Sequence, residues 1–302
     1  PPLCAPQKPA AHNGLVTACY LARAGQRVLV LERRDVVGGA CVTEETFPGY
    51  KVSTAAYVNS LFHTAIIRDL KLAAYGYEVL PRNPSSFTPF PDGCSLTMGP
   101  DADLTRKEIA KFSERDAERY PQYEAMLERV AAVVEPTLTM APPDLLHPRP
   151  RDLRTMLLLG RSFRRLGDAA GEAVEILTEA ARPILDRCFE SEELKGTLAT
   201  DAVIGAMASP SMPGTAYVLF HHVMGESGGA RGVWAYVRGG MGGLTQALAS
   251  SARDLGAEIR CDAEVARILV RDGKAVGVAL DDGDEYHAPV VASNADANVT
   301  FL

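Results

Sequence analysis

No two cysteines stand close together in this chain. Six are scattered along it (Cys4, Cys19, Cys41, Cys94, Cys188, Cys261), and none forms a C-x-x-C or C-x-x-x-x-C pair. That spacing argues against a structural zinc or a dithiol redox centre and fits a reducing compartment. Long apolar runs are also lacking, since none approaches the roughly 20 residues that span a bilayer. Positive charge is not in excess. The formal net charge of -7 argues against nucleic acid as a partner. There is no internal repeat and no low-complexity stretch. The opening Pro1-Pro2-Leu3-Cys4-Ala5-Pro6 has neither a signal-peptide core nor an Arg-rich amphipathic helix.

What remains is a globular composition, with 47% apolar and 23% charged residues over 302 positions. That is enough for one large or two medium domains. The chain starts at Pro1 instead of Met and stops at Thr300-Phe301-Leu302 just after a strand-like run. Both ends therefore read as cut.

Three regions differ in pattern. In the first, Asn13 to Ala24 reads as a helix with small residues on one face, ended by Gly25. Arg27 to Glu32 suits a strand buried on both faces of a parallel sheet. Pro91-Asp92-Gly93 between Ser86–Phe90 and Cys94–Met98 signals a hairpin. The second region is mostly helical. One pattern runs from Lys107 to Val134 with a break expected at Pro121, and another from Glu172 to Leu198 with a break at Pro183. The third has a helix from the Gly239–Gly243 run to Leu255. Short strands follow near 258–260, 266–271 and 275–280, and a last one is expected at Pro289–Ser293.

The stretch Arg149 to Arg165 alternates arginines with leucines. It reads either as a membrane-surface helix or as a helix with one solvated face, and the second is the more ordinary pattern.

The front of the chain carries a nucleotide-binding order of elements. A dinucleotide fold needs a helix whose start faces the pyrophosphate, then a strand ending in an acid. His12-Asn13-Gly14-Leu15 opens the helix, and Glu32 closes the strand. A carboxylate there accepts hydrogen bonds from a ribose and repels a 2'-phosphate, so FAD or NAD fits and NADP does not. Arg34 stands where a guanidinium can meet a phosphate. Gly38-Gly39 lets the backbone pass close to a cofactor. This second element counts against a plain NAD dehydrogenase.

The run Glu32 to Gly39 resembles the FAD motif of the amine-oxidase and phytoene-desaturase superfamily. More particularly, residues 11 to 302 are similar to a mitochondrial branch of carotenoid desaturase and isomerase relatives. The stretches that carry this include Val42-Thr43-Glu44-Glu45, Leu198 to Met207, His221-His222-Val223-Met224-Gly225 and Gly239-Gly240-Met241-Gly242. The resemblance implies an α/β fold, with a discontinuous Rossmann-like FAD-binding domain and an inserted, largely helical substrate domain. The expected boundaries are 1–95, 96–232 and 233–302. FAD is the implied cofactor, at Gly14, Glu32, Arg34, Gly38, Gly39 and, through its backbone, Val265. Ser293-Asn294 is implied to end a strand close to it. The implied activity is a desaturase- or isomerase-like oxidoreductase acting on a small apolar substrate in the mitochondrial matrix. A non-catalytic mitochondrial scaffold or interaction protein is the alternative.

The sequence departs from the family at one place. Where the family reads Gly-x-Gly-x-x-Gly, Pro9 and Ala11 replace the first two glycines and only Gly14 remains. Proline removes a donor, and alanine adds a Cβ where phosphate approaches. Leu3 to Lys8 has no β-branched residue, so the first strand is expected to be degraded. The C-terminal part of the substrate domain is also expected to be missing, and loss of activity in this form is an open alternative. No acid, base or nucleophile stands out. His221-His222 reads mainly as structural, and Asp201 is open between a site residue and a satisfied buried carboxylate.

Overall fold

The structure is a computed structural model that describes residues 3–5, 11–227, 230–231 and 234–301. The chain divides into two compact units. Pro1–Pro81 with Ala235–Leu302 forms the first, and Arg82–Trp234 the second. Their elements follow in chain order.

Strand β1 (Leu3–Ala5) precedes helix α1 (His12–Arg23) and strand β2 (Val28–Leu31). β1 and β2 pair in parallel, Leu3 beside Val28 and Ala5 beside Val30. The expectation that the first strand is degraded is thus corrected. Three residues form it despite poor intrinsic preference, because pairing with a neighbour outweighs strand propensity. All four β2 residues are buried, as a strand covered on both faces requires. α1 buries Leu15, Ala18, Cys19 and Ala22, spaced one face of a helix apart. Next come the hairpin β3 (Thr43–Phe47) and β4 (Tyr50–Ser53), the short helix α2 (Thr64–Asp69) and strand β5 (Val79–Pro81).

The second unit opens with the hairpin β6 (Ser86–Pro89) and β7 (Ser95–Met98), so this hairpin groups with the helices and not with the nucleotide-binding elements. Its turn uses Gly93 at φ 86°. Helices α3 (Ala102–Ala110) and α4 (Glu114–Val134) break at Ser113, not at Pro121, which lies inside α4. The Ser113 hydroxyl accepts from the Asp116 amide at 3.1 Å and starts α4 there. Buried Tyr123, Leu127 and Val130 carry the helix past its proline, since packing outweighs one lost backbone bond. Helices α5 (Pro150–Arg164), α6 (Ala170–Thr178), α7 (Ala181–Cys188), α8 (Glu192–Ala199) and α9 (Thr215–Val223) follow. Pro183 sits in the first turn of α7, where its missing N–H costs nothing, so the interruption falls before it. Fully buried Asp116 accepts from the Glu190 and Ser191 amides and from the Ser191 hydroxyl, tying the start of α4 to the α7–α8 link. A two-residue pair, β8 (Glu226–Ser227) and β9 (Ala230–Arg231), closes this unit.

The chain then returns to the first unit. β10 (Ala235–Val237) pairs antiparallel with β5, and α10 (Met241–Asp254) packs on α1. β11 (Glu258–Arg260) joins β2 in parallel, giving the sheet order β1-β2-β11. β12 (Val265–Arg271), β13 (Lys274–Leu280) and β14 (Glu285–His287) form an antiparallel meander. The strand expected at Pro289–Ser293 shrinks to a single bridge residue, Val291, and helix α11 (Ala297–Phe301) follows. The core here is continuous between α1 and α10, where Leu15, Ala18 and Cys19 meet Leu244, Ala247 and Leu248. Removing a side chain such as Leu15 would cost about 2–5 kcal/mol.

Candidate functional site

β2 ends at Glu32, which is completely buried. Its position is set on both sides. The Glu32 amide donates to the Arg260 carbonyl at 2.8 Å, and the Ala263 amide donates to the Glu32 carbonyl at 2.9 Å. Its Oε1 accepts from the Arg34 amide at 2.9 Å. The carboxylate is therefore oriented by the backbone two residues on. A buried carboxylate must be hydrogen-bonded to be tolerated, and such bonds aim it.

The start of α1 lies beside the loop after β2, with Ala11 bridged in parallel to Gly38. Ala11 has ordinary extended backbone, φ -66° and ψ 164°, so alanine is not strained there. Among the described residues no side chain caps this helix, and no acid lies in its first turn. Such a start suits an anion, through its amides and partial positive charge. Gly14 is buried in the first turn, and its amide donates to the Ala11 carbonyl at 2.9 Å. Pro9 lies outside the described residues.

Gly38 and Gly39 take φ 136° and 59°. At Gly38 a Cβ would stand 2.8 Å from both the Cys41 carbonyl and Thr245 Oγ1, so the glycine is required by the chain's own packing. The Arg34 guanidinium is engaged by Glu44 in an ion pair. The Thr54 hydroxyl, and then Arg34, hold the Glu44 carboxyl below its usual range. Val265 begins β12 and is partly buried against the cluster that includes Leu29, Leu31 and Ala263. In this segment the residue that bonds to Glu32 is Ala263, two positions before Val265, which no sequence signal marks.

His12 and Asn294 carry no cofactor signal in residue type or spacing. The His12 ring nitrogen Nδ1 lies 3.5 Å from Cys41 Sγ, burial lowers the His12 pKa, and burial raises the Cys41 thiol. Both polar atoms of the Asn294 amide are buried with no partner among the described residues. Asn294 stands three residues beyond Val291, which packs against the cluster that includes Leu29, Leu31 and Val278. A buried unpaired amide costs about 1–3 kcal/mol, so a ligand bonding to it would relieve that cost. The helix start and the oriented acid fit a dinucleotide-type cofactor.

In the second unit the adjacent histidines part company. His221 stacks on Tyr217 at 5.8 Å, and His222 on Trp234 at 5.1 Å. His222 Nδ1 donates to the Val218 carbonyl at 2.7 Å, which fixes its tautomer. His221 Nδ1 is buried without a partner among the described residues. Burial raises the Asp201 carboxyl, opposed by His222 and then Arg82.

A parallel β-α-β frame with a buried acid closing its second strand defines a dinucleotide-binding fold of the flavoprotein kind. The chain belongs to the flavin-containing amine oxidoreductase family, whose pattern matches residues 14–300. FAD is the cofactor that this family and fold assign. The chain is 46% identical to mouse pyridine nucleotide-disulfide oxidoreductase domain-containing protein 2, over 97% of its own length and 53% of the relative's. It is 29% identical to a phytoene desaturase of Fusarium fujikuroi, over 96% of its length and 48% of the relative's. A putrescine oxidase with putrescine bound shares the fold at TM-score 0.59 and 20% identity, over 96% of this chain and 58% of that one. The chain spans about half the length of the curated relatives it matches.

Proposed function

We propose that the protein is an FAD-dependent oxidoreductase of the desaturase or isomerase type, acting on a small apolar substrate. The observation that carries the cofactor half is the buried, backbone-oriented Glu32 at the end of β2. Its carboxylate would hold the adenosine ribose. The start of α1 with Gly14, and the Gly38-Gly39 loop, would face the phosphates. Asn294 would meet the cofactor with its unpaired amide. FAD supplies the two-electron chemistry when bound, so these residues have only to bind, orient and exclude water. The apolar substrate rests on the likeness to a phytoene desaturase. We further propose the mitochondrial matrix as its location, on the resemblance of the motifs, to be checked by imaging a tagged protein.

Ala11 favours a second reading, a scaffold or interaction protein that keeps the fold without the chemistry. Its methyl stands at the family's second glycine, where the pyrophosphate comes close. The same experiment separates the two. Purified protein should carry flavin absorbance in its gel-filtration peak, and Glu32→Ala should lose it. Folded protein that takes up no flavin, or takes up NAD alone, would overturn the enzymatic reading.

A further inference from the structure

Helix α5 turns its apolar stripe outward. Leu153, Met156 and Leu157 stand at the i, i+3, i+4 spacing that normally faces a core, yet they are 54%, 38% and 55% exposed. Asp152 is the one buried residue of the helix. In the loop just before it, Leu145 and Leu146 are 70% and 85% exposed. The same helix and the residue after it carry Arg151, Arg154, Arg161, Arg164 and Arg165, all exposed. Only Arg151 has an acidic partner among the described residues, Asp152 at 3.7 Å. At about 100° per residue, Arg154, Arg161 and Arg165 share one face that borders the Leu153–Leu157 stripe.

We infer that α5, with Leu145 and Leu146, docks the protein flat on an anionic phospholipid surface. The charge pattern selects this occupant. A protein core laid on the stripe would bury the leucines and leave the bordering guanidiniums part-desolvated without partners. A lipid surface accepts both, the leucines at the acyl boundary and the arginines among phosphates and acidic headgroups. The overall charge of -7 opposes such a surface, so the unpaired basic face must orient the contact. Docking here is interfacial, because no helix among the described residues is long and apolar enough to cross a membrane. This inference does not rest on the cofactor reading.

The test is co-sedimentation of the purified protein with vesicles of phosphatidylcholine alone and of equimolar phosphatidylcholine and phosphatidylserine. We expect binding to the mixed vesicles only, weakened by salt. Arg154→Gln and Arg161→Gln should each lower the partition coefficient roughly fivefold. Leu153→Asp with Leu157→Asp should abolish binding while the far-ultraviolet circular dichroism is unchanged, since both side chains are exposed. Failure to bind the mixed vesicles would overturn the inference, and so would equal binding to both vesicle types. A leucine variant that changes the oligomeric state in gel filtration without changing vesicle binding would overturn it in favour of a protein covering the stripe.

Discussion

The first unit contains two helix starts that invite the same description and behave differently. α10 begins in the run Gly239-Gly240-Met241-Gly242-Gly243 and keeps every glycine. Its amides are already taken: Met241 donates to the Ser53 hydroxyl at 3.0 Å, and Gly242 to the Thr43 hydroxyl at 2.9 Å. The space a side chain would need is also filled. A Cβ on Gly240 would lie against Thr43 and 2.7 Å from Ser53 Oγ, and one on Gly243 would be 2.5 Å from the Arg238 carbonyl. α1 carries alanine at Ala11, and among the described residues no side chain caps it and no acid occupies its first turn. Glycine content therefore does not by itself mark an anion-binding end. The glycines of α10 serve a latch between helix and hairpin, and the start of α1 has no side-chain cap among the described residues.

The largest effect should come from breaking that latch. Gly240 has φ 78°, and Gly240→Ala adds both backbone strain and a clash with Thr43. We expect a loss of about 3 kcal/mol in a urea unfolding curve. Thr43→Ala alone should cost about 1 kcal/mol through the Gly242 amide it strands. Combined with Gly240→Ala it should recover part of the loss, so the two should be clearly non-additive. Strict additivity would show that the contact carries no strain.

At the α1 end, Glu32→Gln should weaken flavin binding by about 1–3 kcal/mol while leaving the fold intact. Fluorescence titration of protein stripped of flavin measures this. An unchanged affinity would return Glu32 to a purely structural role.

Ala11→Gly sharpens the comparison from the other side. Alanine is unstrained at φ -66°, so glycine there should cost about 0.5–1 kcal/mol of stability through backbone entropy. If the methyl crowds the pyrophosphate, flavin affinity should rise by about 1 kcal/mol in the same titration. A drop in stability with no gain in affinity would mean that Ala11 is no obstacle.

The elements of this site were legible where local pattern decides them. The apolar run before Glu32 reads as a doubly buried strand, and the small-residue face of α1 reads as a packing face. What escaped depends on distant partners. β1 exists because β2 lies beside it, not because of its own residues. The α3–α4 break falls at Ser113 because a hydroxyl cap and a buried Asp116 set it, whereas Pro121 is absorbed by packing. Thr43 and Ser53 reach α10 across nearly two hundred residues, and nothing near them in sequence marks a latch. Of the residues named for the cofactor, Gly14 and Gly38 gather at the start of α1, and Glu32 ends the adjoining strand. Arg34 is held by Glu44, and Val265 is partly buried against the cluster that contains Ala263.

The smallest effect is a pH dependence at the same helix start. Burial lowers the His12 pKa below the ordinary 6.5, and the Cys41 thiol beside it is raised by burial, so the pair is neutral. In the window below 6.5 the unfolded chain binds a proton that the folded chain refuses. Stability therefore rises with pH through that window and falls as pH drops through it. Well above 6.5 both states are neutral and the contribution is flat. His221 shifts in the same direction, through burial and then His222, so the two histidines share the slope. His12→Gln should remove part of it, measured as urea midpoints between about pH 7.5 and about pH 5. A bound anion changes the expectation. Phosphate charge at the start of α1 would stabilise protonated His12 and raise its pKa, so the slope should shrink when flavin is present. The latch bonds at α10 are made by the Thr43 and Ser53 hydroxyls, which do not titrate in this range, and predict no such coupling. A His12 contribution that is identical with and without flavin would place the cofactor's phosphates away from α1 and break the comparison.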